Sequence, residues 1–143
     1  MTVKLILERK GYDVFSTTPD TTLSDAIVML AKHKIGAIVV CDESRAIKGI
    51  LSERDVVRVL ATDGAEALWK PISETMTIKV SVCNEKHTIN QVMETMTRGR
   101  FRHLPVEKDG RLHGIVSIGD VVKLRIEEVE RESEEIRTYI ATA

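Results

Sequence analysis

The phrase GILSERDVVRVL, from Gly49 to Leu60, returns almost unchanged as GIVSIGDVVKLR, from Gly114 to Arg125, with six of twelve positions identical. Unrelated windows of that length share about one residue. A chain that writes one phrase twice within 143 residues is an internal duplication, and its fold is constrained to two like halves.

The duplication extends upstream. TTLSDAIVMLAKHK places Leu23, Ala26, Ile27 and Leu30 on one helix face, and HTINQVMETMTRGR does the same with Ile89, Val92, Met93 and Met96. Thr88 with Gln91 reads as a capping box. The offset from Thr22 to Thr88 is 66. Each helix leads into a β-rich run, IGAIVVC or FRHLPVE, then a polar turn and a second apolar run that enters the repeated phrase. Asp109-Gly110 marks the second turn as a hairpin. From Asp55 to Asp120 the offset is 65, so one residue separates the copies, in a hairpin loop where an indel is tolerated best.

After Ser52 and Ser117 the spacing is again helical, through Val56, Val59 and Leu60 in one copy and Val121, Val122 and Leu124 in the other. Each half is therefore β-α-β-β-α, and the fold class is α+β. The expected division is 1–68, the first repeat with its N-terminal segment, and 69–143, the second with the connector and C-terminal helix. The connector, Ala61 to Thr77, holds Gly64 and Pro71. Its Trp69 reads as an anchor over the core. Halves of about 55–60 residues are marginal alone, so the two are expected to pack sheet against sheet about a pseudo-two-fold axis.

Composition removes several function classes. Twenty-one basic residues against 22 acidic ones give no broad positive field, so nothing supports nucleic-acid binding. No apolar run approaches a membrane span of about 18 residues, and the charged N-terminus does not read as a signal peptide. Cys41 and Cys83 form no C-x-x-C pair, which suits a reduced, cytoplasmic setting. No nucleophile lies beside a base and no spacing suits a metal, so hydrolase or transferase chemistry finds no support and no catalytic cofactor is expected. His33, His87 and His113 read as surface or capping residues.

The repeated S-x-x-D lies where a strand hands over to a helix. Free amide groups and the helix dipole there favour negative charge, a seat for phosphate. A carboxylate at the same place can accept two neighbouring hydroxyls, the geometry of a ribose diol. On spacing alone, however, Ser52 with Asp55 and Ser117 with Asp120 also read as plain helix caps, each worth ~1 kcal/mol. Gly49 and Gly114 are equally open: a ligand's close approach, or a bulge.

Taken together, the β-α-β-β-α halves, each ending in G-h-x-S-x-x-D-h, with RHLPV before the second and lead-ins PDTTLSDA and ETMT, resemble a tandem pair of cystathionine-β-synthase domains, often called a Bateman module. The resemblance spans nearly the whole chain. It implies a regulatory module, not an enzyme, that binds an adenosine-containing ligand such as AMP, ADP, ATP, NAD(H) or S-adenosylmethionine in clefts between the halves. Carried over by position, Asp120 would hold a ribose, Ser117 its phosphate and Ile118 the base, with Arg102 and His103 as phosphate contacts and Thr17 and Thr18 facing them. At the other site Ser52, Arg54 and Asp55 would face Val82 and Cys83. There Gly36 and Ala37 replace Arg102 and His103, while Gly119 replaces Arg54 at the second. The resemblance also implies a flat, disc-shaped homodimer, and no motif names an effector protein. The alternative reading is a ligand-free dimerisation module.

The last helix outruns the repeat. Val122, Ile126, Val129, Ser133, Ile136 and Ile140 keep a 4-3-4-3-4 spacing that makes a narrow apolar seam. Its end is expected to pack on another subunit or on the VKLIL segment, and the resemblance favours the subunit. The acidic run EEVERESEE reads as a solvated helix face.

Overall fold

Both repeats form, and the buried side chains gather into two cores. The computed structural model describes residues 1–142. In chain order these are α1 (Val3–Lys10), β1 (Ser16–Thr17), α2 (Leu23–His33), β2 (Ala37–Cys41), β3 (Ile47–Ser52), α3 (Glu53–Asp63), α4 (Ile89–Gly99), β4 (His103–Lys108), β5 (Arg111–Ser117) and α5 (Ile118–Thr142). The architecture is α+β, with one sheet ordered β1-β2-β3 and a second formed by β4 and β5. The leading strand of the second repeat is reduced to a single parallel bridge, Cys83 to Val106.

Local chemistry explains the repeated elements. Thr22 and Thr88 cap α2 and α4 through their side-chain oxygens, and Thr88 with Gln91 forms the expected box. Both helices end on a left-handed residue, Lys34 at φ 53° and Arg100 at φ 57°, which turns the chain into the following strand. Asp109 and Gly110 both have positive φ, 53° and 74°, as a two-residue hairpin turn requires. The helix faces expected to be apolar are the buried ones: Leu23, Ala26 and Leu30 on α2, and Ile89, Val92 and Met96 on α4.

The residues group into two compact units. One holds Asp13–Ser81 with the hairpin tip Glu107–His113; the other holds Met1–Tyr12, Val82–Val106 and residues 114–142. In the first unit, Leu23, Leu30, Ile38, Val40 and Leu51 meet Ala67 and Ile72 of the connector. Burying each large side chain contributes ~1.5–3 kcal/mol. The connector is thus part of this core: two short 3-10 turns, Gly64–Trp69 and Ile72–Glu74, lay it against α2 and β3. Trp69 is not its anchor, being 75% exposed. Ala67 and Ile72 face inward in its place because the 3-10 turns set the inward positions.

In the second unit, Val3, Ile6 and Leu7 of α1 join Ile89, Met96, Leu104, Val116, Val121 and Leu124. Val121 and Leu124 of α5 are buried while Val122, at the head of the apolar seam, is exposed, because a helix face of this period turns the intervening residue outward.

The paired glycines mark close approaches within the chain. A Cβ on Gly49 would lie 2.7 Å from Met76 Sδ and 2.8 Å from the Thr77 carbonyl oxygen, and one on Gly114 would lie 2.7 Å from Leu7 Cδ2. The connector passes over Gly49, held by reciprocal amide bonds between Ile50 and Thr77 of 2.9 and 3.0 Å; α1 passes over Gly114. We expect Gly49→Ala to cost about 1–3 kcal/mol, measured by urea unfolding, and more than Gly114→Ala, because a hydrogen-bonded carbonyl yields less than the end of a leucine. Equal costs would contradict this account of Gly49.

Candidate functional site

Both S-x-x-D motifs sit at the handover from strand to helix. Ser52 ends β3 in an extended conformation, and its Oγ accepts the Asp55 N–H at 3.3 Å while Asp55 Oδ2 accepts the Ser52 N–H at 3.0 Å. The second copy repeats this: Ser117 Oγ accepts the Asp120 N–H at 3.1 Å and Asp120 Oδ2 accepts the Ser117 N–H at 2.9 Å. Each motif is thus a reciprocal cap. The strand before each also meets the helix start, with Glu53 N–H donating to Gly36 O and Ile118 N–H to Arg102 O.

Beyond the cap, the two carboxylates differ. Asp55 is 3% exposed. Its Oδ1 accepts from Arg58 at 2.8 Å, Ser52 Oγ donates to Oδ2 at 3.1 Å, and Thr77 Oγ1 lies 3.4 and 3.5 Å from the two oxygens. Both oxygens are therefore engaged from inside the unit. The Asp120 side chain retains 25% of its exposure, and Lys10 Nζ donates to its Oδ2 at 2.7 Å and to Ile115 O at 3.1 Å. Burial pushes the Asp120 carboxyl up, but the Lys10 bond, the Ser117 amide and the Lys10 charge outweigh it and hold the group below the usual carboxylate range.

Asp120 opens on a cavity of about 230 Å³ between α1 and α5, lined by Arg9, Lys10 and Lys123 with Glu127 over an apolar floor that includes Ile6. Arg9 grips Glu127 through two bonds, at 2.6 and 3.0 Å, which lower the Glu127 carboxyl. Three cations against two carboxylates leave the cavity with one positive charge in excess.

The remaining candidates fall as follows. Ile118 is half-buried against the second unit's core, Arg102 is exposed and His103 half-buried on the strand beside it. A Cβ on Gly119 would meet Ser117 Oγ at 3.6 Å, an ordinary contact distance, so there is room for a side chain at Gly119. Thr17 and Thr18 lie in the other unit, where Thr17 Oγ1 bonds Thr21 Oγ1 at 2.7 Å and Thr18 bonds Asp20. Arg54 is exposed in the first turn of α3, and Ala37 is buried at the start of β2. Val82 is exposed, whereas Cys83 is buried and its thiol is pushed up to about 12 by burial. Among the described residues, no group of three or more His, Cys, Asp or Glu side chains is placed to hold a metal ion. No described helix is long and apolar enough to cross a membrane.

Three residues that shape the site were not among the candidates. Arg58 was legible, since Asp55 and Arg58 are three apart on a helix. Lys10 and Thr77 were not, because each reaches its aspartate from a segment remote in sequence, 110 and 22 residues away.

The CBS domain pattern matches residues 9–62 and again 72–127. The chain is 32% identical over 147 aligned residues, covering 97% of it and 71% of its relative, to the mitochondrial CBS domain-containing protein CBSX3 of Arabidopsis thaliana. It is similar to a crystal structure of a CBS-domain protein from Agrobacterium tumefaciens, at TM-score 0.84 and 50% identity over 87% of this chain and 99% of that one. It is also similar to the CBS domain pair of protein MJ0100, solved with 5′-methylthioadenosine and S-adenosylmethionine, at TM-score 0.79 and 26% identity over 90% and 98% of the two chains.

The depressed Asp120 carboxyl makes stability depend on pH. Because its folded value lies below the unfolded value of about 3.9, its contribution is fully present above that value and is lost as pH falls through the folded one. Asp120→Asn keeps an acceptor for the cap and removes the charge. At pH 7 we expect it to cost about 1 kcal/mol, the scale of a partly exposed ion pair, and the gap from the unsubstituted protein to narrow as pH falls below about 4 in urea titrations. A gap unchanged at pH 3 would show that the charge is not what matters.

Proposed function

The chain belongs to the CBS-domain family, and on that premise we propose that it is a regulatory module binding an adenosine-containing nucleotide, AMP, ADP, ATP or NAD(H), at Asp120. The observation that carries the reading is the contrast between the two carboxylates. Asp55 is closed from inside by Arg58 and Thr77, whereas Asp120 stays accessible at the head of α5 beside a cationic cavity. A ribose diol needs an accessible carboxylate, and a phosphate needs the free amides of a helix start or a cation.

In this reading Asp120 holds the diol, Ser117 and the open space at Gly119 receive the phosphate side, and Arg102 and His103 add phosphate contacts from the neighbouring strand. Asp55 serves as a structural cap, so one site fills. The role is regulatory and not catalytic: occupancy stabilises the fold, and a partner protein reads the result. Two free, buried cysteines suit a reducing compartment. S-adenosylmethionine is the competing ligand, favoured by its presence in the MJ0100 pair.

We infer that a second copy of the chain covers α5. Val122, Ile126, Val129, Ile136 and Ile140 are all exposed along it, at the heptad-like spacing that packs against a like helix. Sedimentation of the protein should give a dimer, and Ile136→Glu with Ile140→Glu a monomer; a monomer at the outset would remove this partner.

A ligand at 100 times its dissociation constant stabilises by ~2.7 kcal/mol. We therefore expect AMP, ATP or NADH at millimolar concentration to raise the melting temperature by several degrees, and Asp120→Ala to abolish the rise. No rise with any adenosine compound, or an undiminished rise in Asp120→Ala, would defeat the reading.

A further inference from the structure

We propose that Lys10 makes the Asp120 site select phosphate-bearing adenosine nucleotides over adenosine compounds that lack phosphate. This rests on the reading of Asp120 as the diol acceptor and adds the ligand class to it. A carboxylate oxygen has two lone pairs, and Asp120 Oδ2 spends one on the Ser117 amide at 2.9 Å and one on the Lys10 ammonium at 2.7 Å. A diol that engages both carboxylate oxygens must take the place of Lys10, since the Ser117 amide is fixed in the cap.

What moves is the side chain. α1 is anchored by Val3, Ile6 and Leu7 in the core, while Lys10 is its last residue and Gly11 follows at φ 100°. Once displaced, the ammonium keeps Ile115 O as an acceptor, but a neutral carbonyl does not balance its charge. The cavity offers no spare anion either, because Glu127 is already held twice by Arg9. Lys123 adds a further cation from the next turn of α5.

A ligand carrying a phosphate supplies the missing anion, so the displaced Lys10 exchanges one charged partner for another. A ligand without phosphate breaks the Lys10–Asp120 pair and returns nothing, and a sulfonium would add a further positive charge. Lys10 therefore opposes the phosphate-free class and assists the phosphorylated one through the same side chain.

The opposite signs make the test. Isothermal titration of the full chain with AMP and with adenosine is compared for the unsubstituted protein, Lys10→Met, which keeps the stem and removes the charge, and Lys10→Arg. Lys10→Met should weaken AMP about tenfold, the worth of a charge-assisted hydrogen bond to phosphate less the Lys10–Asp120 pair that binding breaks, and tighten adenosine about threefold; Lys10→Arg should retain most of the AMP affinity. If Lys10→Met moves both ligands in one direction, or leaves adenosine unchanged, the inference is wrong while the Asp120 site stands. If neither ligand binds, or both bind Asp120→Ala as they bind the unsubstituted protein, the site reading fails and this inference falls with it.

Discussion

Two glycines without room for a methyl group determine how this chain is put together. Gly49 lets the connector lie against β3, and Gly114 lets Leu7 of α1 reach β5. In each case the segment that precedes one repeat is packed on the strand of the other: α1 comes before the first repeat and joins the second unit's core, while the connector comes before the second repeat and joins the first's. Overpacking at such contacts costs on the order of 1–3 kcal/mol, a sizeable fraction of a domain's net stability. The same exchange carries a polar side chain to each repeated aspartate, Thr77 to Asp55 and Lys10 to Asp120.

That exchange is where the two copies diverge. A hydroxyl from the connector adds weak contacts to a carboxylate that Arg58 also holds, and the result is buried and closed. An ammonium from the end of α1 makes one strong ion pair and leaves the carboxylate partly open. The motif is the same in both, and so is the cap. The difference in what each aspartate can still bind comes from outside the motif.

This explains what could be read from the amino acids and what could not. The helices from Leu23 and Ile89, the Thr88–Gln91 box and the Asp109-Gly110 turn follow from local periodicity and turn chemistry, and the structure has them all. The S-x-x-D pairs left cap and ligand seat open together, and the cap forms in both copies. Gly49 and Gly114 were ambiguous between ligand and bulge because the approaching groups, Met76 with Thr77 and Leu7, lie far along the chain or on a separate segment. Trp69 misled for the opposite reason: its size suggests burial, but in the 3-10 geometry of the connector the inward places go to Ala67 and Ile72. Lys10 carried no local signal at all, since a lysine at the end of a short helix is ordinary until its partner 110 residues away is known.

The central claim is that Asp120, and not its twin, reads an adenosine-type nucleotide. The most direct measurement is mass spectrometry of the small molecules released by denaturing protein purified without added ligand, for the unsubstituted chain and for Asp55→Asn and Asp120→Asn. The account predicts a phosphorylated adenosine compound from the first two and its loss from Asp120→Asn. The same compound released in equal yield from Asp120→Asn, or its loss only from Asp55→Asn, would contradict it.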